Sequence, residues 1–184
     1  MRNTWAVCKR EFVSYFITPV GYVVAGVFAL ISGIGFAASF IGYARATQSP
    51  SAYGYTGVPD FEETLLSPFL VFCGLLIMFI GPLVTMRLLA EEKNRGTAEL
   101  LLTHPLRNRE IVFGKYGAAL GMLLVMMAVV SIQMAVAWYF VPHVELAVLG
   151  FGVITVFLMG AAFLSMGLFV SSITRNQVTA GTAT

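Results

Sequence analysis

The chain has 184 residues, of which 58% are hydrophobic, 13% aromatic and only 11% charged, with a formal net charge of +2 and a mean hydropathy of +0.85. About a quarter of the residues of a soluble domain are charged, so this composition excludes one and places the chain in a bilayer. The small net charge gives no reason to expect a nucleic-acid partner.

Residues 1–17 carry Arg2, Lys9, Arg10 and Glu11 and lead into an apolar run that is too long for a cleavable signal, so the first span is expected to be retained. As a helix, this segment brings Trp5, Cys8, Phe12 and Phe16 to one side, with Asn3, Arg10 and Ser14 opposite. Lys9 intrudes on the apolar arc, where its stem can snorkel toward headgroups. The pattern predicts an interfacial helix lying on the cytoplasmic leaflet.

Four uncharged runs can each supply the roughly 20 helical residues that cross a bilayer: residues 19–43, 65–86, 116–141 and 146–171. Pro19 suits the first turn of the first helix, and Pro82 is expected to bend the second near its end. Between these two spans, "ARATQSPSAYGYTGVPD" is rich in turn formers and reads as a short lid. Asp60 within it is an N-cap ahead of the acidic first turn of "FEETLL". Cys8 lies in a polar segment and Cys73 in an apolar run, so both are expected as free thiols. The tail "NQVTAGTAT" reads as the opening of a further apolar helix, which predicts that the native chain continues with more spans.

The cations are distributed unevenly. Arg2, Lys9, Arg10, Arg87, Lys93, Arg95, Arg107, Arg109, Lys115 and Arg175 fall on one side of the predicted membrane and Arg45 alone on the other. The positive-inside rule therefore puts the N-terminus and the loop 87–115 in the cytoplasm.

That loop is the most polar part of the chain. Arg87, Glu91 and Arg95 recur every four residues, so a second helix running on past the membrane stacks them on one face, each pair contributing about 0.2–0.5 kcal/mol. Gly96 breaks this helix, Thr97 can cap a new one, Glu99 falls in its first turn, and Pro105 ends it. On the short helix Ala98, Leu101 and Leu102 share a face while Glu99 and Thr103 point elsewhere. Leucines held in water need a protein groove to cover them. Asn108 with Glu110 two residues on signals the start of the next long helix, which enters the membrane through Gly114 and Lys115.

At these residues the chain resembles a known family. "RLLAEEKNRGTAELLLTHPLRNREIVFGK" is similar to the loop of ATP-binding-cassette (ABC) exporter permeases of the second permease superfamily, the ABC-2 type. The shared pattern is an acidic pair, Arg-Gly-Thr, Glu-Leu-Leu, a Thr or Ser before Pro, and a closing Gly-Lys. "CKREFVSYFITPVGYVVAGVFALISGIGF" resembles the gliding-motility branch, and the likeness covers essentially the whole chain. It implies an all-α integral membrane protein, a polytopic helical bundle with six spans, of which four are complete here. It further implies a bacterial inner-membrane location, a second permease (identical or related) and a cytoplasmic ABC ATPase reached through a coupling helix. Carried onto this chain, that helix is Thr97, Ala98, Glu99, Leu100, Leu101 and Leu102 through His104. Glu91, Glu92, Arg95 and Gly96 support its approach and Pro105 its far end. The chain itself has no Gly-x-x-x-x-Gly-Lys-[Ser/Thr] spacing, so it is expected to bind no cofactor and to be no enzyme; ATP and Mg belong to the partner ATPase.

Other residues carry weaker signals. His104 and His143 are separated by a predicted span and share no metal site; His104 reads as a C-terminal partner of the short helix. Gly117 and Gly121 permit close helix contact, expected within the chain. Gln133, with Ser131 nearby, makes either an interhelical hydrogen bond or part of a substrate path. No Asp, Glu, Lys or Arg lies inside a span, which argues against a proton- or sodium-driven transporter. The many Met and Phe residues suit a bulky or amphiphilic substrate and lipid-facing packing equally. Three functions follow in order: an ATP-driven exporter permease, a subunit passing force to periplasmic or cell-surface partners without transport, and a membrane-embedded lipid-modifying enzyme. The last would need a cluster of carboxylates or histidines at one membrane face; the carboxylates of the loop are grouped as helix-ladder partners, without metal-ligand spacing.

Overall fold

The computed structural model of the chain describes residues 2–94, 108–141 and 144–181. They form five α-helices and no strand among the described residues: α1 Arg2–Ile17, α2 Val20–Gln48, α3 Ser67–Asn94, α4 Asn108–Phe140 and α5 Leu146–Gly181. Four apolar segments are long enough to cross a bilayer, Val20–Gln48, Glu62–Gly81, Val112–Phe140 and Leu146–Phe169. The protein is an all-α, multi-pass membrane protein.

Local chemistry sets the boundaries. The Thr18 hydroxyl and N–H both donate to the Ser14 carbonyl, at 2.9 and 3.1 Å, and end α1. Pro19 stands one residue before α2, where its carbonyl accepts the Val23 N–H at 3.0 Å; it is a cap, not the expected first-turn residue. α2 then runs to Gln48, beyond the expected 43, because the helical bonding outlasts the apolar run: Ser49 N–H still reaches the Arg45 carbonyl at 3.0 Å. Arg45 in that last turn complements the helix dipole. Pro50 opens a 3₁₀ turn, Pro50–Tyr53, which Gly54 closes with a φ of 80°.

Asp60 caps the second span as expected. Its carbonyl accepts the Thr64 N–H at 3.1 Å and its carboxylate the Glu62 N–H at 3.3 Å. The first turn, Glu62–Leu66, is π-helical and carries Glu62 and Glu63. The Tyr55 hydroxyl lies 3.4 Å from that of Thr64 and ties the lid to this turn. α3 passes through Pro82 as a continuous helix, and α5 extends to Gly181 where the sequence suggested 171.

The chain packs as two compact units. One comprises Met1–Val23, Ile77–Leu123 and Gly160–Thr184, the other Val24–Leu76 and Leu124–Met159. In the second unit Phe28, Ser32, Leu65, Phe69, Cys73, Val130 and Ala137 are fully buried. Edge-on aromatic contacts join its helices: Phe36 with Phe69 at 5.3 Å, Phe40 with Phe140 at 6.1 Å and Tyr43 with Phe61 at 5.7 Å. Cys8 and Cys73 are free thiols, as the sequence suggests.

Candidate functional site

The first unit contains the helix ends that flank the polar loop. α3 continues as helix to Asn94, eight residues beyond Met86, or about 12 Å at 1.5 Å per residue. α4 begins at Asn108 with Glu110 in its first turn, where a carboxylate complements the helix dipole. Glu91 and Glu92 lie on the last turns of α3. Arg95, Gly96, Thr97, Ala98, Glu99, Leu100, Leu101, Leu102, His104 and Pro105 lie outside the described residues, as does His143.

α4 is the hub of this unit. One face carries Gly114, Gly117 and Gly121, spaced three and four apart, and α1 lies against it. A Cβ at Gly114 would meet Val7 Cγ1 at 2.6 Å and the Thr4 carbonyl at 3.3 Å; at Gly117 it would meet Cys8 Sγ at 2.9 Å, and at Gly121 the Phe12 ring at 2.7 Å. The absence of three Cβ atoms is what lets the two helices approach so closely. The close contact expected of Gly117 and Gly121 is thus made within the chain, with Gly114 as a third seat that only the three-plus-four spacing signalled.

Val7, Cys8 and Phe12 of α1 fill the groove and Tyr15 is buried, while Trp5 is 71% exposed, along with Val13 and Ile17. Phe16, the fourth residue of the expected face, packs edge-on against Phe12 and Tyr22, at 5.1 and 5.4 Å.

On its other side α4 meets α5, which also packs on α3. The Tyr116 hydroxyl donates to the Ala161 carbonyl at 3.1 Å. A Cβ at Gly160 would lie 2.9 Å from Leu123 and 3.1 Å from Ile77, while Gly81 faces Leu164 at 3.7 Å. Ala118, Ala119, Met122 and Leu123 are buried, and so is Lys115, at the start of the membrane-crossing stretch.

The second unit holds Gln133 and Ser131. Gln133 Nε2 donates to Ser32 Oγ at 3.1 Å, joining α4 to α2, and the Ser32 hydroxyl donates onward to the Ala29 carbonyl at 3.3 Å. The interhelical bond expected of Gln133 is present. Ser131 is not brought to it: Ser131 is exposed, and its hydroxyl donates to the Met127 carbonyl of its own helix at 2.8 Å. Two residues on a helix differ by about 200° in direction, so both cannot line one seam. Sequence reasoning missed Ser32, whose only signal is a hydroxyl within the aliphatic run "VFALISGIGF". Among the described residues no group of His, Cys, Asp and Glu could hold a metal ion.

Residues 16–184 match the family described as ABC-2 family transporter protein. No curated protein and no solved structure matches the chain.

Proposed function

The chain belongs to the ABC-2 family of transporter proteins, and on that premise we propose that this membrane permease works as an ATP-driven exporter, coupled to a separate cytoplasmic ATPase through the coupling helix Thr97 to His104. The observation that carries this reading is the pair of helix ends around the loop: α3 runs on to Asn94 and α4 starts at Asn108, directly ahead of the glycine seat for α1. An ATPase that closes on nucleotide pushes the short helix by way of Ala98, Leu101 and Leu102. Glu91, Glu92, Arg95 and Gly96 hold its approach, Thr97, Glu99 and Leu100 complete it, and Pro105 ends it. The push reaches α4 and, through its packed faces, α1 and α5.

In this reading ATP and Mg are bound by the partner, not by this chain, and a second permease, identical or related, completes the pathway. The cation asymmetry supports a cytoplasmic N-terminus in a bacterial inner membrane, with α1 on the inner leaflet. The likeness of Cys8 through Phe36 to the gliding-motility branch supports a place there.

The test is purification of the full chain with its neighbouring gene products, as wild type and as Leu101→Asp and Glu91→Ala. An ATPase that travels with the wild type and is lost from both variants supports the role of the loop; full retention in both removes it. Reconstituted vesicles then separate transport from force transmission. An exporter accumulates a labelled amphiphile on ATP addition, whereas a force transmitter hydrolyses ATP and moves none.

A further inference from the structure

Gln133 is satisfied at only one end. Its Nε2 is bonded to Ser32, but its Oε1 is buried and has no hydrogen-bond partner, the only such side-chain atom among the described residues. Exchanging the amide's oxygen and nitrogen does not resolve this. Ser32 Oγ is the one side-chain partner the amide has, so either assignment leaves one end unpartnered. A bond serving only to hold α2 against α4 needs no such remnant, and an apolar side chain of similar size would pack without it.

The surroundings indicate what the free end can accept. Ser32, Phe28 and Val130 are fully buried, Met134 nearly so, and no charged residue lies within residues 20–44 of α2 or 116–140 of α4. Gly33 opens the seam on the α2 side, where a Cβ would stand 3.9 Å from Nε2 and any longer side chain would crowd the amide. α2 is also the least embedded span: 11% of its apolar window is buried, against 39% for Val112–Phe140.

We propose that the amide of Gln133, reached past Gly33 in the α2–α4 seam, recognises one hydroxyl or amide group carried by an otherwise hydrocarbon molecule. The site takes an uncharged hydrogen-bonding group on an alkyl chain and offers nothing to an ionic headgroup. This rests on the permease reading and names the class of substrate that reading leaves open.

The experiment uses the full chain in phosphatidylcholine nanodiscs with two photoactivatable probes, a diazirine-bearing hexadecanol and the matching hexadecane without the hydroxyl. Labelled peptides are mapped by mass spectrometry. The expected result is about fivefold more labelling of the peptides around Ser32 and Gln133 by the alcohol, equivalent to about 1 kcal/mol for one hydrogen bond. Gln133→Leu abolishes the preference, and Ser32→Ala, which leaves the amide in place, retains it. Equal labelling of the wild type by both probes overturns the proposal, as does a preference that survives Gln133→Leu. If the preference is absent while the ATPase still co-purifies with the wild type and not with Leu101→Asp, the recognition site fails and the permease assignment stands.

Discussion

The seat of α1 on α4 makes a prediction whose sign can be worked out in advance. Replacing Gly by Ala inside a helix ordinarily stabilises it by about 0.5–1 kcal/mol, through reduced chain entropy in the unfolded state. At Gly114 the new methyl would stand 2.6 Å from Val7 Cγ1 and 2.9 Å from its Cβ, with the Thr4 carbonyl 3.3 Å away. A β-branched side chain and a backbone oxygen cannot move aside cheaply, and overpacking of this kind costs about 1–3 kcal/mol. The cost exceeds the gain, so Gly114→Ala is expected to destabilise by about 1–2 kcal/mol, lowering Tm by about 2–8 °C for a chain of this size. Gly26 and Gly150 have nothing within 4 Å, so alanine there is expected to raise Tm by about 1–4 °C. Thermal unfolding in one detergent, followed by fluorescence-detected size exclusion, measures all three. Val7→Ala combined with Gly114→Ala is expected to recover at least about 0.5 kcal/mol relative to the sum of the single changes. If Gly114→Ala raises Tm as Gly150→Ala does, α1 does not occupy this groove, and the transmission of force from α4 to α1 loses its basis.

Removing the carboxylate that caps the second span, with Asp60→Ala, is expected to cost about 1 kcal/mol, read as a lower Tm, with Asp60→Asn restoring most of it. The two thiols are expected to differ in reactivity: brief treatment with N-ethylmaleimide labels half-buried Cys8 and leaves fully buried Cys73 unmodified until the protein is denatured, as intact-mass and peptide mass spectrometry will register.

Much of the fold is legible in the chain because a bilayer imposes coarse rules. Stretches free of charge and about 20 residues long become spans, and the helix ends then depart from the apolar boundaries for local reasons. α2 overruns residue 43 because nothing in Ala44 to Gln48 stops a helix before Ser49 and Pro50, and lipid exposure is not what ends helical bonding. Asp60 was legible as a cap since capping is a local exchange between one side chain and the next two or three N–H groups. Which residues of α1 meet α4 was less so: α1 meets a row of glycines that admits Val7 and Cys8, and that pairing between distant segments has no local signal. The partner of Gln133 lies 101 residues away on α2, and no local periodicity encodes such a pairing. The sequence offered only that a mid-span amide must bond to something.

Under the coupling proposal, the place of the polar loop follows from the packing of α4. A coupling element is useful only if the helix behind it is stiff and gripped on more than one side. α4 meets both conditions within its first unit: glycines at positions 114, 117 and 121 admit α1, while Tyr116 and Leu123 engage α5 on the other side. A helix packed against lipid alone would dissipate a push as tilt, since lipid tails offer no fixed register. One wedged between two neighbours has to carry them along, because its packed faces have discrete arrangements and few intermediate ones. On that proposal Gly114 and the loop serve separable tasks. Damage to the glycine seat should uncouple ATP hydrolysis from movement while the ATPase remains bound, whereas damage to Leu101 should release the ATPase and leave the helices packed as before.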